Sequence, residues 1–309
     1  MPRSQTATVV LAAGHESGGG RDLAALVARE PAVHATAPAG RPLTEAVRSA
    51  LAAAGDGPVC VVPMTLGRDP ALVADAARAL RWLAAEEGRG RLALTAPFGA
   101  AEHLIGWLRA AAGTAPDGAV LVTAPAAGPF EDAELFRIAR LARQYGRHRW
   151  VEVAFDGGDP APAEGAERCR LLGAREVTAV PASFGPALRT ALPGVRDGGP
   201  LLRPSALAGV VAARTAAALH LLGHGEDGVL AGLDAEHGHG YAHSHGPGEP
   251  QHQHHGHHQH HSHHTRHDQH EQHEQHERRG HQHGHQPTAP HTPVHTPTDP
   301  AERKATHVR

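Results

Sequence analysis

Short β-branched runs alternate with helical stretches through the first hundred residues, and this alternation limits the fold more than any other feature. Four apolar runs, at 7–13, 31–37, 58–63 and 91–96, have the length of strands. The segments between them are rich in Ala, Leu and Arg, and their apolar residues recur at helical spacing. Strands joined by helices through short connections form a parallel sheet covered on both faces. The sequence therefore predicts an α/β protein with right-handed crossovers.

The same order of elements recurs further along the chain. The segment VVPMTLG at 61–67 matches AVPASFG at 179–185, so that their prolines and final glycines pair at a shift of 118. Nearly the same shift relates the first strand and its loop, and the last helix of the unit, to later segments. Generic βα units resemble one another, but a shared order of landmarks at one offset indicates a tandem duplication of a unit of roughly 110 residues.

The last quarter of the chain is rich in histidine. Between His237 and His307 lie 23 of the 29 histidines, interleaved with Gln, Gly, Asp and Glu. A segment with so few apolar residues cannot bury enough surface to fold by itself. Closely spaced neutral imidazoles bind late first-row divalent cations. We therefore expect a disordered metal-binding tail, with ligands that include His254, His255, His257, His258, His260, His261, His263 and His264.

Composition narrows the classes of function. The formal charge is −3 with neutral histidines, which gives no strong field directed at nucleic acid. Cys60 and Cys169 are far apart in sequence, so they provide neither a disulfide framework nor an iron–sulfur ligand set. No segment reaches the roughly 18 apolar residues that span a bilayer. We expect a cytoplasmic protein without nucleic-acid or membrane partners, and its oligomeric state stays open.

Chemistry is expected beyond the carboxyl ends of the strands, where open parallel sheets bind ligands. The loop after the first strand, GHESGGG at 14–20, places His15 there, and its glycines allow a large ligand to approach the backbone. This loop lacks both the GxGxxG spacing and a Walker lysine, so we discount a phosphate loop.

Later loops add candidates at the same edge. Asp69 follows the third strand, and Glu102 and His103 open the helix that follows the fourth. Two interpretations of His103 stay open: a second imidazole facing the site, or a residue at a helix N-terminus that faces solvent.

Four features together resemble a known family. They are the strand followed by a GHxS loop, the VVP(M/L)xLG segment after the third strand, an acidic residue twelve positions beyond its proline, and the duplication. The chain thereby resembles the sirohydrochlorin cobaltochelatases of the CbiX type over residues 7–222. These are class II chelatases, like ferrochelatase, and they insert a divalent metal into a tetrapyrrole without ATP. Several longer members also carry a histidine-rich tract.

The resemblance implies roles for individual residues. It makes His15 the metal ligand and the acceptor of pyrrole protons, and it matches Ser17 to the serine of the same loop. The family's second active-site histidine falls on Ala71, and the nearby acidic residue on Asp75. Ala126 takes the place of His15 in the second repeat, which we therefore expect to be catalytically silent. The loop reads GHES here where the family has GHGS, which puts a carboxylate beside the histidine.

The missing second histidine calls for a substitute, because metallation requires removal of two pyrrole protons. We favour His103 over Glu16, Asp69 and Glu102. The expected site is then catalytic His15, Glu16 and His103, metal ligands His15, His103 and Asp69, and substrate-binding Gly14, Ser17, Gly18 and Gly67.

The resemblance implies a chelatase-like fold of two flavodoxin-like lobes, at 1–115 and 116–222, followed by a disordered tail at 223–309. It implies insertion of a divalent cation, with Co²⁺ favoured over Fe²⁺ or Ni²⁺, into sirohydrochlorin or a related tetrapyrrole on the route to cobalamin or sirohaem. The metal is a substrate, and we expect no tightly bound cofactor. A cobalt or nickel transport system is a candidate partner. The alternative is a non-catalytic cobalt or nickel storage protein or metallochaperone that keeps the fold.

Overall fold

A computed structural model describes residues 7–113 and 118–235, which belong to one compact unit. The histidine-rich tail, including the eight histidines expected to bind metal, lies outside the described residues. The elements of the first repeat are β1 (Thr8–Ala13), α1 (Ala24–Arg29), β2 (Val33–Pro38), α2 (Arg41–Ala54), β3 (Val59–Met64), α3 (Pro70–Ala85), β4 (Leu92–Leu94) and α4 (Ala101–Ala112). Those that follow are β5 (Ala119–Pro125), α5 (Pro129–Tyr145), β6 (Trp150–Asp156), α6 (Pro162–Leu171), β7 (Val177–Pro181), β8 (Val195–Asp197), α7 (Pro204–Gly223) and α8 (Val229–Leu233).

The strands form two parallel four-stranded sheets with the same topology, which confirms the α/β class and the duplication. Their orders are β2-β1-β3-β4 and β6-β5-β7-β8. Thr8 pairs with Val59 in the first sheet and Ala119 with Val177 in the second, so β3 and β7 are offset by 177 − 59 = 118 residues. The offset between β1 and β5 is 119 − 8 = 111. The second repeat therefore has seven additional residues between its first and third strands.

Both faces of each sheet are buried, as the near-continuous apolar strands predict. All six residues of β3 are buried. Alternate residues of the first sheet face two different cores: Val10 and Val61 pack with α2 and α3, whereas Leu11 and Val62 face the core shared with the second repeat. Burial of each such side chain contributes about 1.5–3 kcal/mol. Cys60 is a buried small apolar residue, as expected, and burial raises the pKa of its thiol to about 12.

Each repeat supplies a helix to the other repeat. The helix α4 follows β4 in sequence, but it packs on β7 and α5 of the second repeat. The helix α7 follows β8, but it packs on β3 and β4 of the first repeat. Ala218 of α7 lies in one apolar cluster with Cys60 and Ala93. The two repeats therefore share their cores and fold as one body.

The expectation that no segment is long and apolar enough to span a bilayer is corrected by one described helix, α7, which meets both criteria. Length and composition alone are weak evidence for a membrane span. One narrow stripe of α7, formed by Val211, Thr215 and Ala218, is buried against the rest of the fold.

Ordered structure continues past the boundary expected at residue 222. The helix α7 runs through it to Gly223, and α8 then packs on α3. The backbone amide of Leu94 donates to the carbonyl of Asp227 at 2.8 Å, which extends the hydrogen bonding at the edge of the first sheet. The tail therefore begins no earlier than residue 236. The division between the two lobes stays a prediction, since their helices are exchanged.

The turn that leads into α8 gives a matched pair of glycine substitutions. Gly225 and Gly228 both have positive φ, +88° and +75°, but only at Gly228 would a Cβ atom collide with a neighbour, the carbonyl oxygen of Leu94. We expect Gly225→Ala to cost about 1 kcal/mol of unfolding free energy from backbone strain. We expect Gly228→Ala to cost at least about 1 kcal/mol more, because the collision also breaks the Leu94–Asp227 hydrogen bond. Urea denaturation of both variants measures the difference, and equal losses would show that α8 contributes nothing to the fold.

Candidate functional site

His15 and Asp69 meet at the carboxyl edge of the first sheet. The neighbouring parallel strands β1 and β3 end side by side, with Ala13 paired to Met64, so that the loops after them start together. The His15 Nδ1 atom lies 3.0 Å from the Asp69 Oδ2 atom, and their side chains are 22% and 13% exposed. The expectation that these loops share one edge is confirmed, and it brings the imidazole and the carboxylate into direct contact.

The Asp69 carboxylate is held by the start of α3. Its Oδ1 atom accepts from the backbone amide of Leu72 at 3.0 Å, which caps the helix. The backbone amide of Asp69 donates to the Thr65 hydroxyl at 3.2 Å. Burial alone would raise the pKa of Asp69, but the hydrogen bonds and positive charge of His15, with the Leu72 amide, lower it below its usual value. The resulting stabilisation is present above the ordinary pKa of aspartate and is lost as the pH falls through the lowered pKa.

This carboxylate fixes which nitrogen of His15 is available. An ionised Asp69 can only accept, so the Nδ1 atom of His15 carries the proton of that hydrogen bond. The Nε2 atom of a neutral ring then holds the lone pair. This atom is buried, and no described residue hydrogen-bonds to it. A histidine oriented by a carboxylate at one nitrogen, with the other nitrogen free, is the arrangement found at many metal sites and general bases.

Gly14 and Gly67 are positions where the backbone packs closely on a neighbour. A Cβ atom at position 14 would collide with the Asp69 carboxylate. Gly67 has a positive φ of +106°, and a Cβ atom there would collide with the backbone at Ala100 and Ala101. Close packing explains both glycines, and the substrate-binding role expected of them stays a prediction.

Glu16, which we expected to be catalytic, holds the loop after β1 to the loop after β3. It is fully buried, and its Oε2 atom accepts from the Thr65 hydroxyl and, at 2.9 Å, from the Leu66 amide. Burial raises the pKa of the Glu16 carboxyl, and the charge of Arg68, the charge of His15 and these hydrogen bonds offset only part of the increase. Its Oε1 atom is also buried and has no hydrogen-bond partner among the described residues. These contacts give Glu16 a structural role, and a catalytic role stays a prediction.

Ser17 and Gly18 also serve the loop itself. The Ser17 hydroxyl is buried and donates to the Gly14 carbonyl at 3.0 Å. Gly18 has a φ of +58°, in the left-handed region that favours glycine, and a Cβ atom there would lie 2.9 Å from the Asp22 carboxylate. These contacts hold the turn, and the substrate contacts expected of both residues stay a prediction.

His103 faces solvent at the start of α4. Its side chain is exposed, its Nδ1 atom accepts from the backbone amide of Ala100 at 3.1 Å, and its ring stacks on Trp107. Glu102 beside it is exposed as well. The structure gives His103 no contact with His15 or Asp69, so the second of the two interpretations, a solvent-facing residue at a helix N-terminus, describes it.

The positions assigned through the family resemblance are also placed. Ala71 lies in the first turn of α3, and Asp75 is exposed on that helix, where it pairs with Arg78 at 2.5 Å. Ala126 follows β5 and donates its backbone amide to Asp156. Among the described residues, no three His, Cys, Asp or Glu side chains come together in a group that could hold a metal ion.

Arg68, to which no sequence motif pointed, joins the two repeats at this edge. Arg68 is almost fully buried; its Nε atom donates to the Glu131 carbonyl and its Nη2 atom to the Asp132 carboxylate, both at 3.3 Å. The Phe184 amide donates to the Glu16 carbonyl at 2.9 Å across the same junction. The sequence offered one signal for this role. Arg68 is a charged residue between Gly67 and Asp69, in a segment where no local feature explains an arginine.

Comparisons with known proteins identify no family. No protein-family model matches the chain, and no curated protein matches it. Two solved structures are similar over 67% of this chain, each with a TM-score of 0.40. One is DR2241 from Deinococcus radiodurans, a multi-domain protein described as structurally similar to chelatases, with 22% identity; this chain spans about half of its length, 54%. The other is the sirohydrochlorin chelatase SirB from Bacillus subtilis subspecies spizizenii in complex with cobalt, with 14% identity and 91% of its length covered. At this similarity the two structures carry no argument about function.

The buried Glu16 carboxyl makes a prediction about pH. Because its pKa is raised in the folded protein, stability falls as the pH rises above the ordinary glutamate value, 4.5, through the raised pKa. Glu16→Gln keeps the shape and removes this titration. We therefore expect the stability of the variant relative to the wild type to improve between pH 4.5 and pH 7.5 in urea denaturation. Asp75→Asn, at an exposed carboxyl, is the control and should show little change. A constant difference between Glu16→Gln and the wild type would contradict the raised pKa.

Proposed function

We propose that this protein is a metal chelatase that inserts a divalent cation into a tetrapyrrole. The observation that carries the proposal is the His15–Asp69 pair, with a separation of 3.0 Å, at the carboxyl edge of the first sheet. Such an edge is where α/β proteins bind ligands. The family resemblance assigns to His15 the role of metal ligand and proton acceptor, and the free Nε2 atom has the chemistry that both roles require.

In this mechanism the Nε2 atom of His15 binds the metal and accepts the pyrrole protons, and Asp69 acts by orienting His15. The carboxylate keeps the imidazole in one orientation and stabilises the imidazolium that forms when a pyrrole proton is accepted. Two protons must leave the macrocycle, and neither Glu16 nor His103 is placed to take the second. The His15 side chain is partly exposed, but its Nε2 atom is buried, so we propose that the loop after β1 moves to let this nitrogen accept the first proton, release it to solvent and accept the next. One imidazole used twice replaces the second histidine of the family.

The tail fits the same function as a source of metal. Its imidazoles bind late first-row cations, and the covalent link raises the cation concentration near the site. We propose Co²⁺ and sirohydrochlorin as the substrates, on the route to cobalamin or sirohaem, with delivery of the metal by a cobalt or nickel transport system. A cytoplasmic location agrees with such a substrate.

A non-catalytic metal store or metallochaperone is the second candidate. The exposed position of His103 favours it, because the expected second imidazole does not face the site. In this alternative the fold anchors a tail that holds cobalt or nickel, and His15 is a single additional ligand.

An insertion assay distinguishes the two candidates. Purified protein with sirohydrochlorin and Co²⁺ should speed the absorbance change of metallation over the rate without protein. We expect His15→Ala to reduce the rate by roughly 100-fold or more, as for loss of a general base. We expect Asp69→Asn to reduce it by about 10–100-fold, because the ligand loses its orienting partner.

Two controls belong to this assay. His103→Ala should keep the full rate, since its side chain caps α4 in solvent, and a substitution at Ala126 should also be silent. A wild-type protein that binds many Co²⁺ ions but leaves the rate unchanged would reject the chelatase and support the store. A full rate for His15→Ala would remove His15 from the mechanism.

A further inference from the structure

Two imidazoles lie side by side at the carboxyl end of α7. His220 is in the last turn of the helix, and His224 is the residue that follows Gly223 and caps the helix. Their ring centroids are separated by 4.9 Å with an interplanar angle of 75°. Both side chains are exposed. Two histidines four residues apart on a helix form the paired ligands of helical zinc motifs, and here the capping residue completes the pair.

The ring separation fits one shared cation. A metal–nitrogen bond of about 2.0–2.1 Å places each ring centroid roughly 3.2 Å from the metal. Two rings then lie roughly 4.5 Å apart if the bonds meet at a right angle, and roughly 5.2 Å apart at the tetrahedral angle. The observed 4.9 Å lies between these two geometries. The separation of the rings is therefore that of two ligands to one cation.

The surroundings favour a positive charge. The pair lies at the carboxyl end of a 20-residue helix, where the aligned peptide dipoles leave partial negative charge on the last carbonyls. Within α7 the only cationic side chain is Arg214, and its guanidinium donates to the Phe98 carbonyl two turns before the pair. The next residues along the chain include acidic Glu226 and Asp227.

The fold also holds this turn in place. On the same turns of α7, Ala218, Leu219 and Leu222 pack against buried Cys60 and Ala93 of the first sheet. One face of the helix end is thus fixed in the core while the opposite face carries the imidazoles. Ligands on a rigid element lose little conformational freedom when they bind a metal.

We propose that His220 and His224 form a binding site for a late first-row divalent cation such as Ni²⁺, Co²⁺ or Zn²⁺. Two imidazoles fill only part of the coordination shell of such an ion, so positions remain for water or for further imidazoles. This site is independent of His15 and of whether the protein catalyses insertion.

Thermal unfolding of the full chain with Ni²⁺ tests the site despite the many tail histidines. Tail ligands bind the cation in folded and unfolded chains alike, so they shift the midpoint little, whereas a site that needs helical spacing stabilises only the folded state. His15→Ala serves as the parent protein, so that binding at His15 does not contribute. We expect saturating Ni²⁺ to raise its midpoint by roughly 5 °C.

Two variants remove one ligand each, and a third changes the ligand spacing at a constant number of histidines. In the His15→Ala parent, His220→Ala and His224→Ala should each remove most of the rise. The combination of His224→Ala with Leu221→His keeps two imidazoles but at adjacent positions, which point apart, and should also lose it. Leu221 is 44% exposed, so the exchange does not disturb the core. No rise in the parent, or a rise that survives in all three variants, would overturn the proposal.

Discussion

The exchange of helices between the repeats is the constraint on which the rest of this structure depends. The first sheet is covered on one face by α7 from the end of the fold, and the second sheet by α4 from the middle. Neither sheet can leave the other without exposing apolar residues such as Leu104 and Val211, which lie in the shared core. The loops at the carboxyl ends of the two sheets are consequently in contact. The loop that contains His15 therefore lies beside the second repeat, where the Phe184 amide donates to the Glu16 carbonyl.

Buried polar side chains fix the relative positions of the loops where the two repeats meet. Arg68 crosses from the first repeat to the carbonyl of Glu131 and the carboxylate of Asp132 in the second. The Glu16 carboxylate bonds within the first repeat and ties the loop after β1 to the loop after β3. Burying these charges is costly, as the raised pKa of Glu16 shows. What the carboxylate contributes is position: it fixes the two loops that bring His15 to Asp69. The change from GHGS to GHES thereby has a structural explanation.

Features that depend on local sequence pattern, such as the strands and the edge of the sheet, were predictable from the sequence. Features that depend on which of several groups binds a side chain were not. The positions of the strands in the sequence located the edge of the sheet, so both His15 and Asp69 were predicted to lie at that edge. Glu16 has the same location in sequence, but buried donors from Thr65 and Leu66 compete with any substrate for its carboxylate. His103 is bound by the free amide of Ala100 at its own helix start. The helix exchange was not predictable, because α4 and α7 look alike in composition whichever sheet they cover.

The two repeats differ where the chemistry is expected, and the differences belong together. The ungapped alignment that pairs Gly67 with Gly185 puts Ala187 in the place of Asp69, and Ala126 stands in the place of His15. In the described connection from β7 to β8, at 182–194, no helix corresponds to α3. Asp69 is held as the cap of α3, so without that helix a carboxylate would have no fixed position. A histidine at 126 would then have no partner for its Nδ1 atom at that edge of the sheet. Helix, carboxylate and imidazole form one unit in the first repeat, and the second repeat, which lacks all three, keeps the parts that support packing.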